Sequence, residues 1–159
     1  MRFSPRLKAI LSFVEGRVLV DIGTDHGYIP IAACLQGKVD RAIACDLWPG
    51  PLKRATENIK LYGLEDRIIT KEGDGLRPLN PDECECVVIA GMGGMNISQI
   101  LKDAASFAAV QSIKRLIVQP QRDILVVKET LNELGFIITD EAQTQDRNRT
   151  YTIILSQPI

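Results

Sequence analysis

The sequence predicts an α/β fold in which a doubly wound, mostly parallel sheet of seven strands ends in an antiparallel C-terminal hairpin strand. Short apolar runs of strand length alternate with stretches of helical spacing between residues 17 and 134. Two further strand-like runs at the end of the chain are separated by polar residues alone. No internal repeat, low-complexity tract or linker divides the chain, so we expect residues 1–159 to form a single domain.

The apolar runs are predicted to be strands because each is short, buried in character and bounded by turn residues. They alternate with helical stretches as five βα units, and repeated βα units imply a parallel sheet with helices on both faces. The predicted strands cover residues 17–22, 42–46, 67–71, 85–90 and 114–119, the last of them stopped by Pro120.

The helical stretches carry start and stop signals. Pro30 fits the first turn of the first helix, where its missing N–H is not needed. In the second helix Leu52, Ala55 and Ile59 recur at helical spacing, and Gly63 follows as a C-cap. The predicted helices cover residues 29–35, 51–61, 97–105 and 124–134.

The last two strand-like runs, 136–141 and 150–156, are joined by the polar stretch 142–149. That connection is too short for a crossover helix, so the two strands are expected to pair antiparallel. A parallel doubly wound sheet with an antiparallel final strand is the Rossmann-like layout of class I methyltransferases. Nicotinamide-binding Rossmann domains usually keep every strand parallel.

Composition limits the class of protein. No apolar run approaches the roughly 18 residues of a membrane span, and no signal peptide is visible, so we expect a cytoplasmic protein with no membrane partner. The four cysteines have no paired C-x-x-C spacing and there is one histidine, so no metal site is expected. The net charge of −1 disfavours a protein that coats nucleic acid, although a local basic patch remains compatible with it.

The turn after the first strand, from Asp21 to Tyr28, is a candidate cofactor site. Gly23 lets the chain turn sharply, but the spacing is not the G-x-G-x-x-G of a pyrophosphate site. Two carboxylates here would repel a pyrophosphate and suit a cationic ligand such as S-adenosylmethionine. The alternative is a plain turn capped by Asp25. The candidate cofactor residues of this turn are Asp21, Gly23, Thr24, Asp25 and Gly27.

Acidic residues also follow the next two strands. Asp46, with Leu47 beside it, stands where a carboxylate accepts the ribose hydroxyls of a nucleoside, or alternatively caps the helix that follows. Asp74, between Gly73 and Gly75, can accept an adenine amino group, although Gly-Asp-Gly is also ordinary turn chemistry. Three acidic residues after three successive strands favour nucleoside binding more than any one of them does.

The loop after the fourth strand contains three glycines within four residues. This density indicates either unusual backbone angles or very close approach by a ligand, and we favour a ligand that reacts here. The candidate catalytic residues are Asp25 and the loop residues Ala90, Gly91, Met92, Gly93 and Gly94.

Basic and aromatic residues are predicted to gather at the same edge of the sheet and to bind a substrate. Arg147 and Arg149 lie in the turn of the C-terminal hairpin, and Arg122 follows the fifth strand. These arginines can hold phosphates, and Tyr28 or Tyr151 can stack on a base, with a solvated polar turn as the alternative. His26 either contacts the base or satisfies a local hydrogen bond. Arg2, Arg6 and Lys8 either extend this basic patch or form a solvated helix face, and we favour the helix face.

Four stretches of the sequence resemble the bacterial tRNA adenine-N1 methyltransferase family that modifies adenine 22, and the resemblance covers nearly the whole chain. They are Val20 to Pro30, Gly73-Asp74-Gly75-Leu76, Ile89 to Gly94, and Leu116-Ile117-Val118-Gln119-Pro120. The resemblance implies a class I domain that binds S-adenosylmethionine at residues 21–27, Asp46 and Asp74. It also implies that the 90–94 loop borders the target base of a tRNA.

The sequence departs from that family in one respect, because members usually carry a helical C-terminal extension that this chain, ending at Ile159, does not show. Two other functions therefore stay open at this point. One is methylation of a small molecule or protein, which the sequence pI of about 5.9 favours. The other is a non-catalytic module that binds S-adenosylmethionine. A nicotinamide-dependent oxidoreductase is disfavoured by the missing phosphate fingerprint and by the closing hairpin.

Overall fold

The computed structural model describes residues 1–159, whose strands form one seven-stranded sheet. In chain order the strands are β1 (Val18–Ile22), β2 (Arg41–Asp46), β3 (Ile68–Glu72), β4 (Cys86–Met92), β5 (Arg115–Pro120), β6 (Phe136–Asp146) and β7 (Arg149–Pro158). Their order across the sheet is β3-β2-β1-β4-β5-β7-β6. The first five strands pair in parallel, and β7 runs antiparallel to both of its neighbours. The predicted α/β sheet with its antiparallel hairpin strand is confirmed.

Six α-helices cover the sheet: α1 (Pro5–Phe13), α2 (Tyr28–Leu35), α3 (Pro49–Leu61), α4 (Gly94–Asp103), α5 (Ala108–Gln111) and α6 (Ile124–Glu133). α1 begins where it does because the Ser4 hydroxyl accepts a hydrogen bond from the Leu7 N–H at 3.1 Å and Pro5 occupies the first turn. α3 and α4 begin two and three residues earlier than the sequence predicts. None of these helices is both long enough and apolar enough to cross a membrane.

The core lies on both faces of the sheet. One cluster of 23 buried residues packs α1 and α2 against the sheet, and a second cluster of 22 packs α4 and α6 on the opposite face. Because successive strand residues point to opposite faces, Leu19 belongs to the first cluster and Val20 to the second. This double coverage explains the continuous apolar runs of the parallel strands.

The β3–β4 connection differs from prediction. Only four of the five parallel strands are followed by an α-helix, since the chain between β3 and β4 forms a single 3₁₀ turn, Pro81–Glu83. The segment 73–85 is rich in glycine, proline and acidic residues, and its one apolar pair at helical spacing, Leu76 and Leu79, is too short a pattern for a helix. The Glu83 carboxylate fixes the turn by accepting from the Lys71 ammonium and the Asn80 N–H, each at 2.7 Å. The prediction of five βα units is therefore wrong at its third unit.

The C-terminal hairpin is longer than predicted. Residues 142–146 continue β6, and the connection shrinks to Arg147 and Asn148, whose φ angles of 52° and 64° are those of a type I′ turn. β5 pairs with β7 only over residues 116–118, so the distal half of the hairpin projects beyond the sheet. The register shifts between Ile138 and Asp140, a β-bulge. The 142–149 stretch was misjudged because the half-buried face of this arm carries one apolar residue, Ala142, followed by the polar Thr144 and Asp146, so no apolar alternation marks the strand.

The order of the strands determines which loops meet at the carboxyl edge of the sheet. The chain winds from β1 outward to β3, then returns to the other side of β1 for β4. The sheet order therefore reverses between β1 and β4, and the carboxyl ends of these two strands open a crevice. β6 runs in the direction of the parallel strands, so the hairpin turn emerges at this same edge, as predicted.

Candidate functional site

Two adjoining cavities lie at the carboxyl edge of the sheet and share Gly23 in their walls. The central cavity, of about 410 Å³, is bounded by the turn after β1, the end of β4, α1 and β7. The side cavity, of about 260 Å³, is bounded by the turns after β2 and β3 and by α4. Gly23 has a φ of 74°, and a Cβ atom there would collide with the Met92 methyl group. The positive φ is the firmer reason for glycine here, since the Met92 methyl group is the end of a flexible side chain.

Asp46 is the most constrained carboxylate of the side cavity. It is buried, and its oxygens accept from the Asp25 N–H at 3.1 Å and the Trp48 N–H at 3.3 Å. α3 is preceded by Trp48 as its N-cap residue and receives no side-chain cap, so the alternative of Asp46 as the helix cap is wrong. Each carboxylate oxygen keeps a lone pair that a ligand hydroxyl can use.

The remaining walls of the side cavity combine one carboxylate with apolar side chains. The Asp74 side chain is 63% exposed and is only loosely paired with Arg77, at 4.0 Å, so it is accessible to a ligand. Steric contacts explain why glycine occupies both neighbouring positions. A Cβ atom on Gly73 would press against Pro78, and one on Gly75 would press against Ile100. Apolar surface comes from Leu47, Trp48, Met92 and Ile100.

Asp21 lies at the wall of the central cavity and is 1% exposed. It accepts a hydrogen bond from the Thr24 hydroxyl at 2.8 Å. Burial raises the pKa of the Asp21 carboxyl to about 7, against the lowering effects of Thr24 and of the Arg6 charge, while the Asp46 charge raises it further. A cationic group in the cavity would favour the ionised carboxylate.

Asp25 stands at the mouth of the central cavity in a left-handed conformation, with a φ of 52°. Its carboxylate is 56% exposed and pairs with the Arg54 guanidinium at 2.9 Å. The His26 ring nitrogen is 3.6 Å away, and the His26 ring stacks on Tyr28 with centroids 5.2 Å apart. The His26 side chain makes no hydrogen bond within the protein, and its ring lies at the wall of the central cavity. Contact with a base, one of the two roles left open for His26, is compatible with this position.

The glycine-rich loop has structural reasons for each of its glycines. Gly91, with a φ of 80°, lies at the register shift between Ala90 and Met92. A Cβ on Gly93 would lie 3.3 Å from the Arg122 side chain, and one on Gly94 would collide with the carbonyls of Arg122 and Asp123. A ligand is therefore not needed to explain glycine at position 94, where the backbone of Arg122 and Asp123 leaves no room for a side chain. Only Ala90 and Gly91 line the central cavity, and Met92 lines the side cavity.

The predicted basic and aromatic residues separate in space. Tyr28 and Tyr151 line the central cavity, whereas Arg122 and Arg149 line neither cavity. Arg147 lines a third cavity beside the central one. Gly27 precedes α2 with a φ of 77° and packs against Ala55, which gives it a structural role.

Arg6 is the main residue that the sequence reasoning misplaced. Its Nε donates to the Oε1 atom of fully buried Gln119 at 2.7 Å, and its guanidinium lies 5.8 Å from the centre of the Tyr151 ring. The expectation of a solvated helix face is therefore wrong for Arg6. No local pattern signals this contact, because the two hydrogen-bonded residues are 113 positions apart. Other lining residues absent from the predicted set are Arg2, Ser4, Leu7, Ile22, Ile29, Cys45, Trp48, Asn96, Ile100 and Gln121.

Comparison with known proteins gives a consistent pattern. Residues 3–154 match the methyltransferase domain family. The chain is 31% identical over 158 residues to the tRNA (adenine(22)-N(1))-methyltransferase of Bacillus subtilis, covering 99% of this chain and 66% of the relative. The crystal structure of that M1A22 tRNA methyltransferase superposes with a TM-score of 0.91 at 30% identity, over 99% of this chain and 67% of the other.

Two further relatives add information on ligand and substrate. The Mycoplasma capricolum TrmK structure in complex with S-adenosyl-homocysteine superposes with a TM-score of 0.88 at 27% identity, over 99% of this chain and 69% of that chain. A ribosomal protein L11 methyltransferase of Carboxydothermus hydrogenoformans is 33% identical over 138 residues, which are 84% of this chain and 43% of the relative. This chain therefore spans less than two thirds of the length of the curated relatives named here.

Proposed function

This chain belongs to the methyltransferase domain family, and we propose that it transfers the methyl group of S-adenosylmethionine to N1 of an adenine in tRNA. The observation that carries the proposal is the pair of cavities joined at Gly23. The side cavity offers carboxylates and apolar walls. The central cavity offers aromatic rings and the accessible backbone of Ala90 and Gly91. The tRNA (adenine(22)-N(1))-methyltransferase of Bacillus subtilis supports the choice of substrate. We assign both sites to one domain spanning residues 1–159.

The side cavity fits the nucleoside part of the cofactor. Asp46 would accept the ribose hydroxyls with the lone pairs that its two backbone partners leave free. Asp74 would accept the adenine amino group, and Leu47 and Ile100 offer apolar contact to the flat base. A pyrophosphate would meet Asp46 and Asp74 as like charges, which disfavours a dinucleotide.

The wall shared by the two cavities fits the amino-acid part of the cofactor. Asp21 is buried, its pKa is raised to about 7 by that burial, and Thr24 is its hydrogen-bond partner. An ammonium group held there would stabilise the ionised carboxylate. The bare backbone at Gly23 would let the chain of the cofactor pass from one cavity to the other.

The central cavity would hold the target base. When bound, S-adenosylmethionine supplies an electrophilic methyl group on a sulfonium centre. Adenine N1 has a free lone pair at neutral pH, so the chain needs to align the base and not to deprotonate it. The backbone of Ala90 and Gly91 would position the ring edge, with Tyr28 and His26 as the aromatic wall. The methylated ring is cationic, and the Asp25 carboxylate and the carbonyls of Ala90 and Gly91 would stabilise that charge.

Mass spectrometry of tRNA nucleosides tests this function directly. The purified protein is incubated with S-adenosylmethionine and unmodified bacterial tRNA, and the digested nucleosides are analysed. We expect 1-methyladenosine among the nucleosides. Methylation of another base, with no 1-methyladenosine, would contradict the proposal. The matched control is Asp46→Asn, which keeps the shape of the side chain and removes its charge.

A methyltransferase that acts on a protein is the second candidate, favoured by the similarity to the ribosomal protein L11 methyltransferase. The purified protein and labelled methyl donor are incubated with total cell extract, with and without prior ribonuclease treatment of the extract. Label that survives ribonuclease would support the protein substrate, and label that ribonuclease removes would support RNA. Tight cofactor binding with no turnover in either arm would instead indicate a non-catalytic module.

A further inference from the structure

A third cavity lies beside the central one, between the N-terminal segment and the tip of the hairpin. Its volume is about 610 Å³, and it shares Arg2, Ser4, Arg6 and Tyr151 with the wall of the central cavity. A group in this hairpin cavity would therefore be the immediate neighbour of a group in the central cavity.

The hairpin cavity is strongly basic. Three arginines line it, Arg2, Arg6 and Arg147, against a single carboxylate, Asp146. Arg6 is already committed to Gln119 and Tyr151. Arg2 and Arg147 make no ion pair and no side-chain hydrogen bond, whereas Arg17, Arg54 and Arg115 each pair with a carboxylate. Two guanidinium groups are thus free to hold an anion.

Arg147 is held on a defined backbone. It occupies the first position of the two-residue turn, with Asp146 and Arg149 paired on either side of that turn. Its conformation is left-handed, with a φ of 52°, and it lines the cavity, whereas Arg149 belongs to β7 and does not line it. The two hairpin arginines are consequently not equivalent.

We propose that the hairpin cavity is a subsite for the phosphodiester group next to the target nucleotide, held by Arg2 and Arg147. This inference rests on the proposed function, because it takes the target base to occupy the central cavity. A base turned out of its stack carries its flanking phosphates with it, and these reach the mouth of the pocket that holds the base. Arg6 separates the two subsites, since it stays bound to Gln119 and Tyr151 while its neighbours take the phosphate.

Methylation kinetics of single variants test the subsite. Arg147→Gln and Arg2→Gln are compared with Arg149→Gln, which removes the same charge from the same hairpin. Arg41→Gln, an exposed arginine at the start of β2, serves as the unaffected control. For Arg147→Gln and Arg2→Gln we expect kcat/KM for tRNA to fall about tenfold through KM, the usual effect of one lost charge-assisted hydrogen bond. The salt dependence of tRNA affinity should also flatten by about one unit of slope.

Equal effects of Arg147→Gln and Arg149→Gln would overturn the subsite and leave only general attraction of the hairpin for RNA. A loss of S-adenosylmethionine affinity in Arg147→Gln, measured by calorimetry, would overturn it as well. Absence of adenine methylation by the unmodified protein would instead contradict the proposed function, so the two failures are distinguishable.

Competition with small probes identifies the source of the phosphate. Adenosine, the dinucleoside monophosphate ApA and inorganic phosphate are compared as inhibitors of tRNA methylation. We expect ApA to inhibit more strongly than adenosine, and that advantage to disappear in Arg147→Gln. Inhibition by inorganic phosphate as strong as that by ApA would overturn the assignment to a nucleic-acid phosphodiester.

Discussion

The side cavity and the central cavity differ in what holds their walls together. The turns around the side cavity are joined by backbone hydrogen bonds, from Gly23 and Thr24 to the Cys45 carbonyl at 2.9 Å and from Gly73 to the Asp46 carbonyl at 3.1 Å. The roof of the central cavity comes from α1 and β7, near the two ends of the chain. β7 is itself a strand of the sheet, but α1 is joined to it by side chains, above all Arg6 to Gln119 of β5 and to Tyr151 of β7.

This difference separates the two halves of the proposed reaction. The donor half is formed by the sheet itself, so changes at the ends of the chain should leave it intact. The acceptor half depends on a few side-chain contacts and should be lost when one of them is removed. Substitutions in each half therefore test whether the separation holds.

The largest effect is expected at the donor half. Asp46→Ala removes a buried carboxylate and leaves the Asp25 and Trp48 N–H groups without their partner. We expect affinity for S-adenosylmethionine to fall by at least about 100-fold, since hydrogen bonds to charged groups contribute roughly 1.5–3 kcal/mol each. Calorimetry measures the affinity, and circular dichroism checks that the fold persists. Unchanged affinity would remove the ribose assignment, and Asp140→Ala on exposed β6 is the control.

The next effect concerns the acceptor half. Arg6→Ala breaks the contact of α1 with Gln119 and Tyr151, so we expect kcat/KM for tRNA to fall about 30-fold while cofactor affinity changes by less than about threefold. Affinity is measured at pH 8.5, above the Asp21 pKa of about 7, because loss of the Arg6 charge would raise that pKa in the variant. An equal fall in both quantities would mean that Arg6 merely stabilises the fold. Lys8→Ala, on the exposed side of the same helix, is the control.

The smallest effect is a pH dependence of cofactor binding. Burial raises the pKa of Asp21 from 3.8 to about 7, so the carboxyl is largely protonated below neutral pH in the free protein. An ammonium ligand binds the ionised form, and affinity should therefore rise by up to about tenfold between pH 6 and 8 and then level off. Asp21→Asn should weaken binding and abolish the pH dependence. A flat profile in the unmodified protein would contradict the contact.

The same raised pKa affects folding stability in the opposite direction. Between the unfolded value of 3.8 and the folded value of about 7, the folded chain binds more protons at Asp21 than the unfolded chain does. The contribution of Asp21 to the free energy of unfolding therefore falls as pH rises through this range. Asp21→Asn should flatten that part of the stability profile, as measured by denaturant unfolding at several pH values.

The sequence was sufficient to predict the parts of the molecule that depend on local pattern. Apolar runs located the strands, and the lack of a crossover helix identified the antiparallel hairpin. The acidic residues at the strand ends were expected to meet because the carboxyl ends of parallel strands share one edge, and Asp21, Asp46 and Asp74 do line the two cavities there.

The parts that were missed depend on contacts between distant residues. Nothing near Arg6 indicates that its partner is Gln119, and nothing near Gly94 indicates that the Arg122 and Asp123 carbonyls pack against it. The polar stretch 142–149 was misjudged for another reason. Its half-buried positions alternate with exposed ones, but Ala142 is the one apolar residue among them, so the sequence shows no apolar alternation.

The bulge in β6 affects whether this strand can pair with a strand of another copy of the protein. β6 closes one side of the sheet, and its outer N–H and C=O groups have no strand beside them. An exposed edge strand of this kind can pair with a strand of a second molecule and so start aggregation. The irregularity after Ile138, followed at once by the charges of Asp140 and Glu141, interrupts any straight template there, so the long hairpin can project into solvent without recruiting another strand.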